Sequence, residues 1–228
     1  MDKDSIVATV ISLIMIGVGF LIFISSLPFL YIWLGISAKF PEDRMEYQEK
    51  AVETSLFRYQ KIYTRNSSLP SLVLTKDFYT AIEYFEELEK LDAVDNANIK
   101  LAIFSYIRVG DYDKALKYAI QANDKVHQAQ IYLLTKNYAK ANEIVDELLK
   151  RNNVQINTYI YKAELLINDK KLLQAEKYAD MALAKAPNSV DALYTKVKIL
   201  NKTNRKEEAK KYFKKARVQE IKRSMLYY

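Results

Sequence analysis

Five alanines set a period for this chain. Ala81, Ala115, Ala141, Ala175 and Ala209 are separated by 34, 26, 34 and 34 residues. Ala81 is followed by Tyr84, Phe85 and Leu88, and Ala115 by Tyr118, Ala119 and Ala122. Ala141 is followed by Ile144, Val145 and Leu148, Ala175 by Tyr178, Ala179 and Ala182, and Ala209 by Tyr212, Phe213 and Ala216. Offsets of 3, 4 and 7 residues put each set on one helical face. A second apolar stripe lies about twelve residues before each of the last four alanines: Ile99, Ile103 and Tyr106; Ala129 and Tyr132; Tyr159, Ala163 and Leu166; Leu193, Val197 and Leu200. Each unit therefore predicts two amphipathic helices joined at a short polar turn: Gly110-Asp111, Lys136-Asn137, Asp169-Lys170 or Asn204-Arg205. Pro187-Asn188-Ser189 separates two units, with Ser189 placed to cap the next helix. One hairpin cannot bury its apolar face alone, so the units must stack. The expected fold class is all-α, a solenoid of helical hairpins.

The composition closes off other routes. The chain has four glycines, Gly17, Gly19, Gly35 and Gly110, so 192 residues after Ile36 carry only one. Phosphate-cradling and dinucleotide-binding loops need clustered glycines, and hairpin-rich sheets need them in their turns. There is no cysteine, which excludes disulfides, zinc ribbons, iron–sulfur clusters and thiol catalysis.

The repeat resembles the tetratricopeptide (TPR) family. The match is clearest over Thr158–Ala216, where Ala163, Ala175, Tyr178, Ala182 and Pro187, and then Val197, Ala209, Tyr212, Phe213 and Ala216, occupy the family's small, aromatic and proline positions. Gly110, Tyr112 and Ala115 match an earlier turn and second helix. The resemblance covers about 150 residues. It implies a concave surface lined by the first helices, suited to extended or helical peptides. In this register that surface takes Lys100, Phe104, Ile107, Gln130, Leu133, Asn157, Ile160, Glu164, Tyr194 and Lys198. The lysine–asparagine clamp that some members use for a terminal carboxylate is absent, since Phe104 follows Lys100 by one turn and Tyr161 follows Asn157. Two departures stand out. The 26-residue step implies eight residues lost, expected from the second helix of the unit at Ala115. Asn66–Pro70 is expected to break the chain before Ala81, leaving a longer helix over about Glu42–Thr64 to partner the first unit.

Ahead of the repeats, Ile6–Ile36 gives 31 residues without a charge. About 20 apolar residues cross the hydrocarbon core. Ile6–Leu27 predicts one span, with Pro28–Ile36 as a tilted continuation or interfacial turn carrying Phe29, Tyr31 and Trp33. A cleaved signal has a shorter apolar stretch, about 7–15 residues, behind a positive N-terminus. Lys3 on one flank and Lys39, Arg44 and Lys50 on the other do not decide which side the repeats face. The expected organisation is an anchor over 1–36, a linker and irregular first helix over 37–76, repeats over 77–221 and a tail over 222–228.

The net charge of +7 belongs to one end. Residues 37–187 carry 22 basic and 22 acidic side chains, whereas residues 188–228 carry 12 and 4. Lys210, Lys211, Lys214, Lys215 and Arg217 form a basic patch beside the last apolar stripe. A terminal repeat needs a polar outer face. The functional alternative for the patch is an anionic lipid or a nucleic acid, though no nucleic-acid-binding motif accompanies the charge. His127 is the sole histidine, so no histidine pair or histidine-rich metal site can be built. Glu86/Glu87 and Glu207/Glu208 are expected on solvated faces. Neither a catalytic constellation nor a cofactor is expected. The expected function is a non-enzymatic scaffold, anchored at a bacterial-type cell membrane, that binds partner proteins in its groove. Similar anchored repeats accompany flagellar motors, pili and secretion systems.

Overall fold

A computed structural model describes residues 3–38, 41–55 and 57–225. Lys39 and the last three residues of the expected tail lie outside them. The described residues form helices and turns: α1 (Lys3–Ser37), α2 (Pro41–Glu53), α3 (Arg58–Thr75), α4 (Phe78–Lys90), α5 (Asn96–Val109), α6 (Tyr112–Gln121), α7 (Lys125–Leu134), α8 (Tyr138–Leu149), α9 (Ile156–Asn168), α10 (Leu172–Lys185), α11 (Val190–Lys202) and α12 (Lys206–Met225). The chain divides into two compact units, Met1–Ser105 and Tyr106–Tyr228.

One turn, written five times, joins first helix to second. Five residues before each repeat alanine the backbone enters the left-handed region: Lys76 (φ 67°), Gly110 (86°), Lys136 (60°), Lys170 (59°) and Asn204 (59°). The next residue donates its N–H back across the turn. Asp77 donates to the Leu72 carbonyl, Asp111 to Tyr106, Asn137 to Tyr132, Lys171 to Leu166 and Arg205 to Leu200, all at 2.8–2.9 Å. This is the bond that satisfies an orphan carbonyl at a helix end. In three turns that same residue also caps the second helix: Asp77, Asp111 and Asn137 accept from the N–H three residues on. Ser189 caps α11 as expected, accepting from Ala192 N–H at 3.3 Å.

In the first unit, α1 passes straight through Pro28 to Ser37. One stretch of it, Ile14–Gly35, is long and apolar enough to cross a membrane. The helix continues through Pro28–Ile36 rather than turning there. One face of its later half is covered by neighbours: Pro28, Ile32 and Gly35 are buried, and α2 and α3 pack beside it, while Phe29, Leu30 and Trp33 stay exposed. Ile14 to Phe23 are exposed. The helix expected over Glu42–Thr64 is two helices, α2 and α3. Nor does Asn66–Pro70 break the chain. Pro70 sits inside α3, which ends at Thr75 and turns into α4 with the same left-handed geometry as the later units. The first repeat alanine therefore has a full partner helix. Arg65 of α3 is buried, pairs with Glu87 of α4 and stacks 5.5 Å from the Tyr84 ring, so Glu87 is only partly solvated.

In the second unit, Ala115, Ala141, Ala175 and Ala209 are at most 3% exposed. A side chain of one methyl lets the two helices of a hairpin approach closely, and rings fill beside it. Tyr106 stacks on Tyr118 at 5.7 Å between centroids, and Tyr159 lies 6.5 Å from Tyr178. The short step after Ala115 is shared rather than taken from one helix. Against the step from Ala175 to Ala209, α6 ends four residues sooner, its following turn is one residue shorter and α7 is three residues shorter than α11. Trimming both elements keeps the next alanine in register.

A lysine in the left-handed region costs about 1–2 kcal/mol that glycine does not. Lys136→Gly and Lys170→Gly should each raise stability by about 0.5–1 kcal/mol. Gly110→Ala should lower it by about 1–2 kcal/mol through the backbone alone, because an added Cβ there meets nothing within 4 Å. Thermal unfolding of the full chain in detergent checks the signs.

Candidate functional site

The first helices of the second unit lie side by side, α7 against α9 and α9 against α11. The position eleven residues before the repeat alanine recurs as Gln130, Glu164 and Lys198. Glu164 and Lys198 form an ion pair across neighbouring first helices, and Lys198 remains exposed. Gln130 is half-buried on α7 and Asn157 is exposed at the start of α9. All four are at least partly open to solvent.

The other expected groove residues divide. Ile107 and Ile160 are corrected: both are buried, at 9% and 6% exposure. Ile160 packs with Ala182 and Ala192, so its position faces the next hairpin rather than solvent. Tyr194 stands at the same repeat position as Ile160 and is also turned to the next helix. Its hydroxyl donates to Glu220 Oε2 at 3.0 Å, and its ring meets Phe213 edge-on at 6.0 Å. Leu133 is half-buried against the cluster of Ala141, Ile144, Val145 and Leu148. Lys100 and Phe104 belong to the first unit, where Lys100 is exposed and Phe104 meets Phe78 edge-on at 5.8 Å. In the basic patch, Lys210 pairs with Glu207 at 2.7 Å and Arg217 with Glu220 at 3.3 Å. Lys211, Lys214 and Lys215 are exposed. His127 shares a 2.7 Å contact with Asp124, the residue capping its own helix.

A polar layer between hairpins escaped the reading of the sequence. Lys162 of α9 donates to Asn142 and Asp146 of α8, at 2.8 and 2.6 Å. One period on, Lys196 of α11 donates to Glu176 at 2.8 Å and to Asp180, both of α10. The signal was present, since all three positions repeat at 34 residues. At the equivalent place on α7, Gln128 donates to the Ala119 carbonyl at 2.9 Å. Burial opposes the Lys196 ammonium, but hydrogen bonds to Asp180 and Glu176 outweigh it and raise its pKa above the ordinary value. The Lys196 hydrogen bond, aided by a two-pronged Arg205 contact at 2.8 and 2.9 Å, holds the Glu176 carboxyl below the ordinary carboxylate value. A carboxyl lowered on folding contributes stability that is full above its unfolded pKa and lost as pH falls through the folded one. Below about pH 4.5, the ordinary glutamate value, wild type should therefore lose stability more steeply than Glu176→Gln, which starts from a lower plateau. Urea midpoints across that range test it.

Known proteins share this helical-hairpin fold. The tetratricopeptide repeat family matches residues 190–216. None of the curated proteins matches the sequence. Among solved structures, NprR in complex with its cognate peptide NprX is similar with a TM-score of 0.62 at 14% identity, covering 94% of this chain and 73% of that one. A tetratricopeptide repeat protein from Parabacteroides merdae gives 0.58 at 12% identity, covering 78% and 73%. MamA from Desulfovibrio magneticus gives 0.52 at 13% identity, covering 71% and 96%. At these identities the likeness speaks to the fold.

Proposed function

We propose that this chain, a tetratricopeptide-repeat protein with a long apolar N-terminal helix, is a membrane-anchored scaffold that captures partner proteins on its first-helix layer. The observation that carries the reading is the contrast within that layer. Position after position is buried or tied to the next hairpin, while Gln130, Asn157, Glu164 and Lys198 stay available to a ligand. A ligand backbone can exchange hydrogen bonds with the amides, and its charges can compete for the Glu164–Lys198 pair. The structural neighbour NprR holds a peptide, which supports a peptide-like segment as the ligand class. The exposed apolar surface of α1 from Ile14 to Phe23 supports anchoring, because water does not tolerate such a stripe on a free helix. A bacterial inner membrane is the setting that suits an anchor of this kind, with assembly of an envelope machine as the work.

The scaffold reading is tested by cross-linking and affinity isolation from membranes. Glu164→Ala with Lys198→Ala should weaken capture by about ten-fold or more, as loss of a central contact does. Lys211→Gln, Lys214→Gln and Lys215→Gln together should leave it within about two-fold, the range of a rim charge. The reverse result, with capture steeply salt-dependent, favours an anionic lipid or nucleic acid on the basic end. Protease accessibility in spheroplasts assigns the side.

A further inference from the structure

The membrane reading leaves a physical conflict inside the first unit. The apolar stretch runs to Gly35, yet its last third is wrapped by a charged helix. α2 carries Asp43, Arg44, Glu46, Glu49, Lys50 and Glu53. It folds back along α1, with Arg44, Tyr47 and Gln48 against Gly35. Charges at that density do not enter hydrocarbon. The bilayer must therefore end before α2 begins to cover α1.

The place where it ends is marked by Gln60. This fully buried side chain donates through Nε2 to the Ser25 carbonyl and accepts the Phe57 N–H on Oε1 at 3.0 Å. Pro28 lacks an N–H and leaves the Ile24 carbonyl without its helical donor, and Gln60 adds a donor at the neighbouring carbonyl, that of Ser25. α3 then runs in the direction of α1, since Gln60 meets Ser25, Tyr63 meets Phe29, and Ser71 meets Gln48 at 3.0 Å. Its N-terminal end is thus its bilayer-facing end. From Ile6 to Ser25 there are 20 residues, about 30 Å of helix, which matches the hydrocarbon thickness.

At that level four rings gather and stay exposed. Phe29 lies 6.2 Å from Tyr59 and 5.4 Å from Tyr63, and Tyr59 stacks on Phe57 at 5.9 Å. Their exposures run from 39% for Phe29 to 57% for Tyr59. Such a cluster in water is unfavourable, whereas rings with one polar tip favour the boundary of headgroups and acyl chains. We infer that Phe29, Phe57, Tyr59 and Tyr63 form a lipid-binding collar that rests in the interface and fixes the edge of the bilayer at Ser25. The inference depends on the anchored reading above and adds a second, peripheral contact to it. Glu53 at the end of α2 and Arg58 and Lys61 in the first turn of α3 put both signs of charge in the sequence flanking the rings, so the collar takes zwitterionic phospholipid.

Trp33 is the sole tryptophan, which makes single-tryptophan probes simple. The full chain with Trp33→Phe receives either Ile16→Trp or Tyr63→Trp and is reconstituted in phosphatidylcholine vesicles. The vesicles carry bromine either near the chain carbonyl or deep in the chain. The Tyr63→Trp probe should lose emission chiefly to shallow bromine, and the Ile16→Trp probe chiefly to deep bromine. If Ile16→Trp is quenched and Tyr63→Trp is not, the collar is overturned while the anchor stands. Emission from Tyr63→Trp that is shielded from both bromine and acrylamide means a protein surface covers the rings, and also overturns it. If neither probe is quenched, anchoring fails and the collar with it. Should Tyr63→Trp not fold, Tyr59→Trp serves the same purpose.

Discussion

Everything in the repeats depends on the contact at the alanines. A methyl side chain at Ala81, Ala115, Ala141, Ala175 and Ala209 lets paired helices approach until each alanine is almost fully buried. That approach requires a tight return, which the left-handed residue five positions earlier provides in all five units. Only Gly110 meets this demand without backbone cost; Asn204 tolerates it, and Lys76, Lys136 and Lys170 meet it against their own preference. The shortage of glycine is therefore no sign that tight turns are missing. The packing of the hairpins holds the unfavourable backbone in place.

Polar groups then fix how one hairpin sits on the next. Buried lysine is costly unless paired, and Lys196 is paired twice, by Glu176 and Asp180. Lys162 repeats the arrangement one period earlier with Asn142 and Asp146. In the first unit, Arg65 and Gln60 bring α3 to α4 and α1 in the same manner. Apolar contact favours stacking in general, while these partners favour one register.

Much of the fold was legible because periodicity carries it. Alanine spacing gave the hairpins from Ala115 onward. Where the fold departs from local preference, neighbouring side chains outweigh it. Asn66–Pro70 reads as a break, yet Ser67 and Ser68 bond back to the Thr64 carbonyl and α3 continues past Pro70. Pro28 allows a tilted continuation or a turn, and α1 continues through it to Ser37, with Gln60 donating to the Ser25 carbonyl about one turn before. The candidate surface was legible only in part. Gln130, Asn157, Glu164 and Lys198 follow from the period, whereas Ile160 and Tyr194 share a position whose exposure is decided by the hairpin that follows.

By itself the sequence determined the all-α class, the hairpin period and a segment apolar enough for a membrane, because these are properties of spacing and composition along one helix. Tertiary structure decided which apolar residues stay open. Ile32 and Gly35 are covered while Phe23 and Phe29 are not, and Ile160 is covered while Lys198 is not. The reason is the same in both cases: a side chain's direction is set by its own helix, but its solvent is set by what packs against that helix.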